Sequence, residues 1–215
     1  MTDIETARDW VEWHRAYDDP ESRLSRRLLV VQRHLREALD RREGEMRIIS
    51  MCAGEGRDVI PVLADHPRRR EIAARLVELD LRNAAIARTA IDAAHLERVE
   101  IVVGDAGLNA NYGGAVPAEI VIACGVFGNI PDEDIRNTIE HLPVFCAQLA
   151  TVIWTRGRRP DHDLTPQIRG WFEQYGFEEL AFEAPEELRY SVGVHRLIAQ
   201  PRGFEAGVKL FCFTR

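Results

Sequence analysis

With 215 residues, 46% of them apolar and 29% charged, the chain has room for one α/β domain with a sizeable core and too little for two. A net charge of −7 argues against a broad nucleic-acid footprint, and the basic runs Arg41-Arg42, Arg68-Arg69-Arg70 and Arg156 to Arg159 read as solvated loops. No apolar run approaches the ~20 residues of a bilayer span, and the acidic N-terminus is unlike a signal peptide, so a soluble protein without membrane partners is expected.

A first helix is expected after Thr2 or Asp3, with Trp10, Trp13, His14 and Tyr17 on one face. Asp19-Pro20-Glu21 has the chemistry of a second helix start, and Leu24, Leu28, Val31, Leu35 and Leu39 continue its apolar stripe to about Arg42. Residues 1–45 thus read as a helical extension packed on the ligand edge of a domain formed by residues 46–215. Strand-like runs follow at Arg47–Met51, Ala73–Leu79, Val99–Val103, Ile120–Ala123, Leu149–Trp154, Phe177–Phe182 and Val208–Phe213. Helix-like runs lie between them at about 56–65, 81–95, 132–147 and 163–175. Alternation with continuous apolar strands implies a Rossmann-like α/β fold: a seven-stranded, mostly parallel sheet with helices on both faces. No helix separates the last two strands, so the final one is expected to be antiparallel. Cys52, Cys124, Cys146 and Cys212 lack zinc or disulfide-framework spacing, which points to a reducing cytoplasm.

The first strand runs directly into Cys52-Ala53-Gly54-Glu55-Gly56, where glycines let a ligand approach the backbone. The second strand ends in Glu78, Leu79 and Asp80. Either acid can accept from ribose hydroxyls, but Asp80 immediately precedes a helix and suits a cap, so ribose binding falls to Glu78. The third strand ends at Gly104, Asp105 and Ala106, where Asp105 suits an adenine amine or a loop-start Asx turn. The fourth ends in Ala123 and then reads C-G-V-F-G-N through Cys124, Gly125 and Asn129. Glycines or acids at four successive strand ends together mark a cofactor edge.

These residues resemble the class I S-adenosylmethionine-dependent methyltransferases. The glycine-rich motif looks like Ser50 to Gly56, the strand-two acid like Glu78, the strand-three acid like Asp105 and the strand-four segment like Ala123 to Asn129. C-A-G-E-G-R-D with V-I-W-T-R is similar to a group of small bacterial members of unassigned substrate. The resemblance implies S-adenosyl-L-methionine as cofactor and S-adenosyl-L-homocysteine as product. It implies cofactor contacts from Cys52, Ala53, Gly54, Gly56, Glu78, Leu79, Asp105, Ala106, Cys124 and Gly125. Two positions depart: Ser50 stands where the family often has an acid, and Cys52 where it usually has glycine.

Around the methyl acceptor, His14, Tyr17, Arg156 and His195 are the candidate side chains, His14 carrying an imidazole of the kind suited to proton transfer. Asp161-His162-Asp163 reads as a helix cap and not as a metal site. No G-x-S-x-G elbow or Walker loop is present. The fourth-strand segment also lacks the Asn/Asp-Pro-Pro-aromatic run of nucleobase methyltransferases, which points to a small-molecule acceptor, with a homodimer possible. The alternatives are a non-catalytic cofactor-binding protein and a nicotinamide-dependent oxidoreductase. Val59 at the third glycine position disfavours the latter.

Overall fold

A computed structural model describes residues 9–159 and 161–214; the expected start of the first helix near Thr2 lies outside them. A short helix α1 (Trp10–His14) continues into a 3-10 turn over Arg15–Asp18, and α2 (Arg23–Asp40) follows. Asp9 caps α1 by accepting from Val11 and Glu12. Ser22, rather than Asp19, caps α2: its hydroxyl accepts from the Ser25 N–H at 3.0 Å, while the Asp19 carboxylate takes the Glu21 N–H.

The rest alternates as β1 (Met46–Met51), α3 (Ile60–Asp65), β2 (Ile72–Glu78), α4 (Leu81–Ala93), β3 (Val99–Val103) and β4 (Ala118–Ala123). It continues as α5 (Asp132–Phe145), β5 (Cys146–Gly157), α6 (Thr165–Gln174), β6 (Phe177–Glu183) and β7 (Tyr190–Leu197). The seven strands form one sheet in the order β3-β2-β1-β4-β5-β7-β6. Only β7 runs against its neighbours, pairing antiparallel with both β5 and β6.

Strand residues alternate between two apolar layers, because successive side chains point to opposite faces. Ile48, Leu76 and Ile120 meet α2, α3 and α4 in one layer. Ile49, Met51 and Val121 meet α5 and α6 in the other. Both faces are therefore dry, which is why β1 and β4 read as near-continuous apolar runs.

One strand is misplaced by the sequence pattern. The antiparallel strand is Tyr190–Leu197, and residues 208–213 form an extended strap with one isolated bridge, Leu108 to Lys209. Two backbone bonds, from the Leu210 N–H to the Gly107 carbonyl at 2.7 Å and from the Asn109 N–H to the Val208 carbonyl at 3.0 Å, hold this strap together with side chains. The Asn109 amide donates to the Glu205 carbonyl at 2.7 Å, and the Asn137 amide donates to that of Leu210 at 2.7 Å. The Asp134 carboxylate accepts the Cys212 N–H at 2.8 Å.

β7 packs a tight aromatic layer. Trp154 of β5 is fully buried, its ring stacks on Phe172 at 5.9 Å, and its Nε1–H donates to His195 Nδ1 at 3.1 Å. His195 therefore sits in the core, stacked on Phe172 at 4.2 Å, and not at an acceptor pocket. Burial pushes its pKa down to about 4, against the smaller opposing pull of Glu179. A histidine depressed in the folded state contributes full stability above its unfolded pKa near ~6.5 and loses it as pH falls towards 4. Asp58, raised by burial to about 6, acts in the opposite sense over part of that window. Ring-proton NMR should accordingly show His195 neutral down to about pH 4. A midpoint near ~6.5 in folded protein would contradict its placement.

Candidate functional site

The strand order reverses between β1 and β4, and open α/β sheets bind ligands outside the carboxyl ends of their strands at such a switch point. A cavity of about 490 Å³ lies there. One wall is the turn after β1 (Cys52, Ala53, Gly54) with the strand-end residues Glu78, Leu79, Asp105 and Ala106. Cys124 and Gly125 after β4 extend it. Trp10, Trp13, His14 and Tyr17 supply a second wall, Arg27, Leu28 and Val31 of α2 a third, and Lys209, Cys212 and Phe213 of the strap a fourth. The cavity thus gathers the two ends of the chain over the centre of the sheet.

Glu78 is the best-anchored acid. It is buried, its Oε2 accepts the Gly54 N–H at 2.8 Å, and its Oε1 accepts the Asp80 N–H at 2.8 Å. A carboxylate has about four lone-pair positions, so two remain for a ligand. Asp80 caps α4 and pairs with Arg82, as its place before a helix suggests. Asp105 makes an Asx turn to the Gly107 N–H at 2.8 Å and also takes the Lys209 ammonium at 2.5 Å.

The turn itself is strained. Gly54 has φ +57°, and a Cβ there would fall 2.4 Å from His14 Nε2, so only glycine lets the imidazole lie against this backbone. Cys52 takes φ +52°, a left-handed conformation that costs a side-chain-bearing residue roughly 1–2 kcal/mol. That cost explains why the related motif prefers glycine at this position. Burial, with Glu78 and Asp105 nearby, holds the Cys52 thiol protonated. Gly56 does not line the cavity: its Cβ would meet Ile60 at 2.4 Å and Leu76 at 2.9 Å, so it serves loop packing.

Of the four acceptor-side candidates, the structure brings two together. His14 and Tyr17 are cavity neighbours, their rings stacked at 5.8 Å. A carbonyl can only accept, so the 2.6 Å contact of His14 Nδ1 with the Trp10 oxygen puts the hydrogen on Nδ1 and leaves Nε2 as the acceptor. Arg156 lies elsewhere, donating to the Phe127 carbonyl and pairing with Asp132 at 3.5 Å, so it secures the start of α5. His195 is in the core, as described. In the loop before α6, Asp163 Oδ1 accepts from the Thr165 N–H at 3.0 Å, and His162 contacts Asp132 at 3.2 Å.

Three polar side chains in the cavity escape the sequence pattern. Asn83 is 1% exposed, and neither amide atom has a partner among the described residues. Asp58 is 8% exposed with Oδ1 unpartnered among the described residues, and Arg27 is 9% exposed. Arg27 carries a readable signal: with Leu24, Leu28 and Val31 it falls at i, i+3, i+4 and i+7, inside the apolar stripe.

Neither a protein-family model nor a curated sequence matches the chain. Solved structures do. Magnesium protoporphyrin IX methyltransferase from Synechocystis PCC 6803, crystallised with bound SAM, is similar at a TM-score of 0.69 and 16% identity, over 89% of this chain and 92% of that one. The CurJ carbon methyltransferase gives a TM-score of 0.67 at 12% identity, over 89% of this chain and 59% of that one. An O-methyltransferase family protein from Burkholderia thailandensis gives 0.59 at 17% identity, over 90% and 70%. The chain has the class I methyltransferase fold. In a methyltransferase fold the antiparallel strand inserts between the fifth and sixth, which is where β7 lies here. Among the described residues, no helix is long and apolar enough to cross a membrane.

Proposed function

We propose that this protein is an S-adenosyl-L-methionine-dependent methyltransferase acting on a small-molecule acceptor. The observation that carries the reading is Glu78, which ties the glycine turn to the second strand end and keeps two acceptor positions towards the cavity. The residues present fit the cofactor. Glu78 suits the ribose hydroxyls, Asp105 and the backbone at Ala106 suit the adenine edge, and Asn83 offers an amide with no partner among the described residues. Cys52, Ala53, Gly54, Leu79, Cys124 and Gly125 supply the surrounding surface. Residues 9–45 act as a cover over the carboxyl edge of the sheet, contributing Trp10, Trp13, His14 and Tyr17.

When bound, the cofactor supplies an electrophilic methyl on a sulfonium, transferred by in-line displacement. The protein's part is positioning and exclusion of water, since alignment of reacting atoms at about 3–3.5 Å accounts for much of such catalysis. Trp10, Trp13 and Phe213 keep the mouth apolar. His14 Nε2 is the group placed to take a proton from an acceptor that carries one.

Calorimetry tests this reading directly. S-adenosylhomocysteine is expected to bind with a Kd in the micromolar range, about −8 kcal/mol, and NAD(H) is expected not to bind. Folded protein that ignores S-adenosylhomocysteine would refute the assignment.

A further inference from the structure

Behind the strap lies a second hollow, of about 240 Å³, to which the cofactor reading gives no task. Its base is Phe145 at the end of α5 and Leu210 of the strap, each 1% exposed, and Val144 and Val208 add half-buried apolar sides. Two of its polar residues have nothing to offer a ligand. The Asn109 amide donates to the Glu205 carbonyl at 2.7 Å, and its oxygen accepts the Gly207 and Val208 N–H groups, each at 2.9 Å. Glu205 itself is exposed, so solvent ions screen its charge.

His141 and Arg202 are different. A carbonyl only accepts, so the 2.8 Å contact of His141 Nδ1 with the Asn137 oxygen puts the hydrogen on Nδ1. Nε2 is left as an acceptor with no partner among the described residues. Arg202 is fixed by its own N–H, which donates to the Pro143 carbonyl at 3.0 Å, and by one guanidinium bond to the Glu140 carbonyl. It makes no salt bridge among the described residues, and the other donors of its fork stay available.

An apolar base beside a guanidinium and an imidazole lone pair suits a flat apolar body that carries an acid group. We propose that this hollow binds a small aromatic carboxylate and that its occupancy is felt in the cavity through the strap. The ring lies against Phe145, Arg202 takes the carboxylate, and His141 Nε2 accepts from a ring hydroxyl where the ligand has one. The coupling follows from the extended form of the strap, whose successive side chains face opposite ways. Val208 and Leu210 line the hollow, while Lys209 between them lines the cavity and holds Asp105 at 2.5 Å. A ligand that fixes Val208 and Leu210 therefore fixes the partner of Asp105, and by linkage each site alters the affinity of the other by the same factor. The hollow stands apart from the cofactor reading; only the coupling rests on it.

Calorimetry on the intact protein with benzoate, its hydroxy isomers and neutral benzamide provides the test. Wild type is expected to bind benzoate with a Kd of about 1 mM or below, and benzamide at least about 10-fold more weakly. One hydroxybenzoate should bind at least about 3-fold more tightly than benzoate, and His141→Phe should remove that gain alone. Arg202→Met deletes the charge and Val208→Trp fills the hollow, so each should weaken benzoate at least about 10-fold. Melting within about 2 °C of wild type certifies that a variant is folded, and the exposed Arg202→Met decides if Val208→Trp is not. Saturating benzoate should shift S-adenosylhomocysteine affinity at least about 3-fold in wild type and leave it unmoved in Arg202→Met. The site is overturned if wild type ignores benzoate at about 10 mM, or if folded variants bind it as wild type does. Equal binding of benzoate and all its hydroxy isomers removes His141 from the site. Benzoate that binds here without shifting S-adenosylhomocysteine affinity overturns the coupling. Wild type that ignores S-adenosylhomocysteine removes the methyltransferase reading instead, and the benzoate titrations still judge the hollow.

Discussion

Glu78→Ala is expected to lower S-adenosylhomocysteine affinity by at least about 100-fold, because it deletes the charge-assisted acceptor proposed for the ribose. The same change leaves the Gly54 and Asp80 N–H groups without their carboxylate, in a region where Glu78 itself is buried. Stranding buried donors costs about 1–3 kcal/mol each, so a stability loss of roughly 2–3 kcal/mol should accompany the binding defect. Glu78→Gln separates the two effects. Its remaining carbonyl oxygen can hold one N–H, and its amide nitrogen can only donate, so stability should recover more than binding does. Denaturant melts and calorimetry read the two separately. Unchanged affinity in a folded Glu78→Ala protein would remove Glu78 from the site.

Gly193→Ala is expected to destabilise the fold by about 3 kcal/mol or more, far beyond an ordinary methyl insertion. Gly193 faces Trp154 across the β5–β7 ladder, and a Cβ there would fall 2.2 Å from indole Cε2 and 2.4 Å from Nε1. The indole cannot retreat: it is fully buried, stacked on Phe172 and hydrogen-bonded to His195. For a domain of this size the change corresponds to a Tm drop on the order of 6–12 °C. In a Trp154→Phe background the same substitution should cost less, because the part of the ring nearest Gly193 is gone. An effect within about 0.5 kcal/mol in the wild-type background would show that the layer repacks freely.

The sheet centre and the turns that wall the cavity were legible because period and glycine placement act locally. Ile48 and Ile49 point into opposite apolar layers, and a strand covered on both faces must show an unbroken apolar run. Tyr190–Leu197 was illegible for the reverse reason. Its Gly193 and His195 look like interruptions, yet one makes room for Trp154 and the other accepts the indole hydrogen. Residues 208–213 mislead in the opposite sense. They carry the composition of a strand, but they run as a strap held by backbone bonds to Gly107 and Asn109 and by the Asn137 and Asp134 side chains. Asp58 and Asn83 could not be assigned from spacing, since a polar residue in or beside a helix ordinarily faces water, whereas Arg27 is signalled by its place inside the α2 apolar stripe.

The meeting of Trp10 with Phe213, rings 5.8 Å apart at the mouth of the cavity, has a bearing on how the protein is made. Synthesis proceeds from the N-terminus, so α1 emerges before the sheet and must wait through all seven described strands before it finds that ring. The sheet can assemble from β1 through β7 beforehand, yet Lys209, Cys212 and Phe213 complete the pocket only when the ribosome has released them. A nascent chain halted shortly after Leu197 would hold every described strand and still lack one wall of the cavity. The cavity is therefore walled only after the sheet is complete, when α1 and the strap meet.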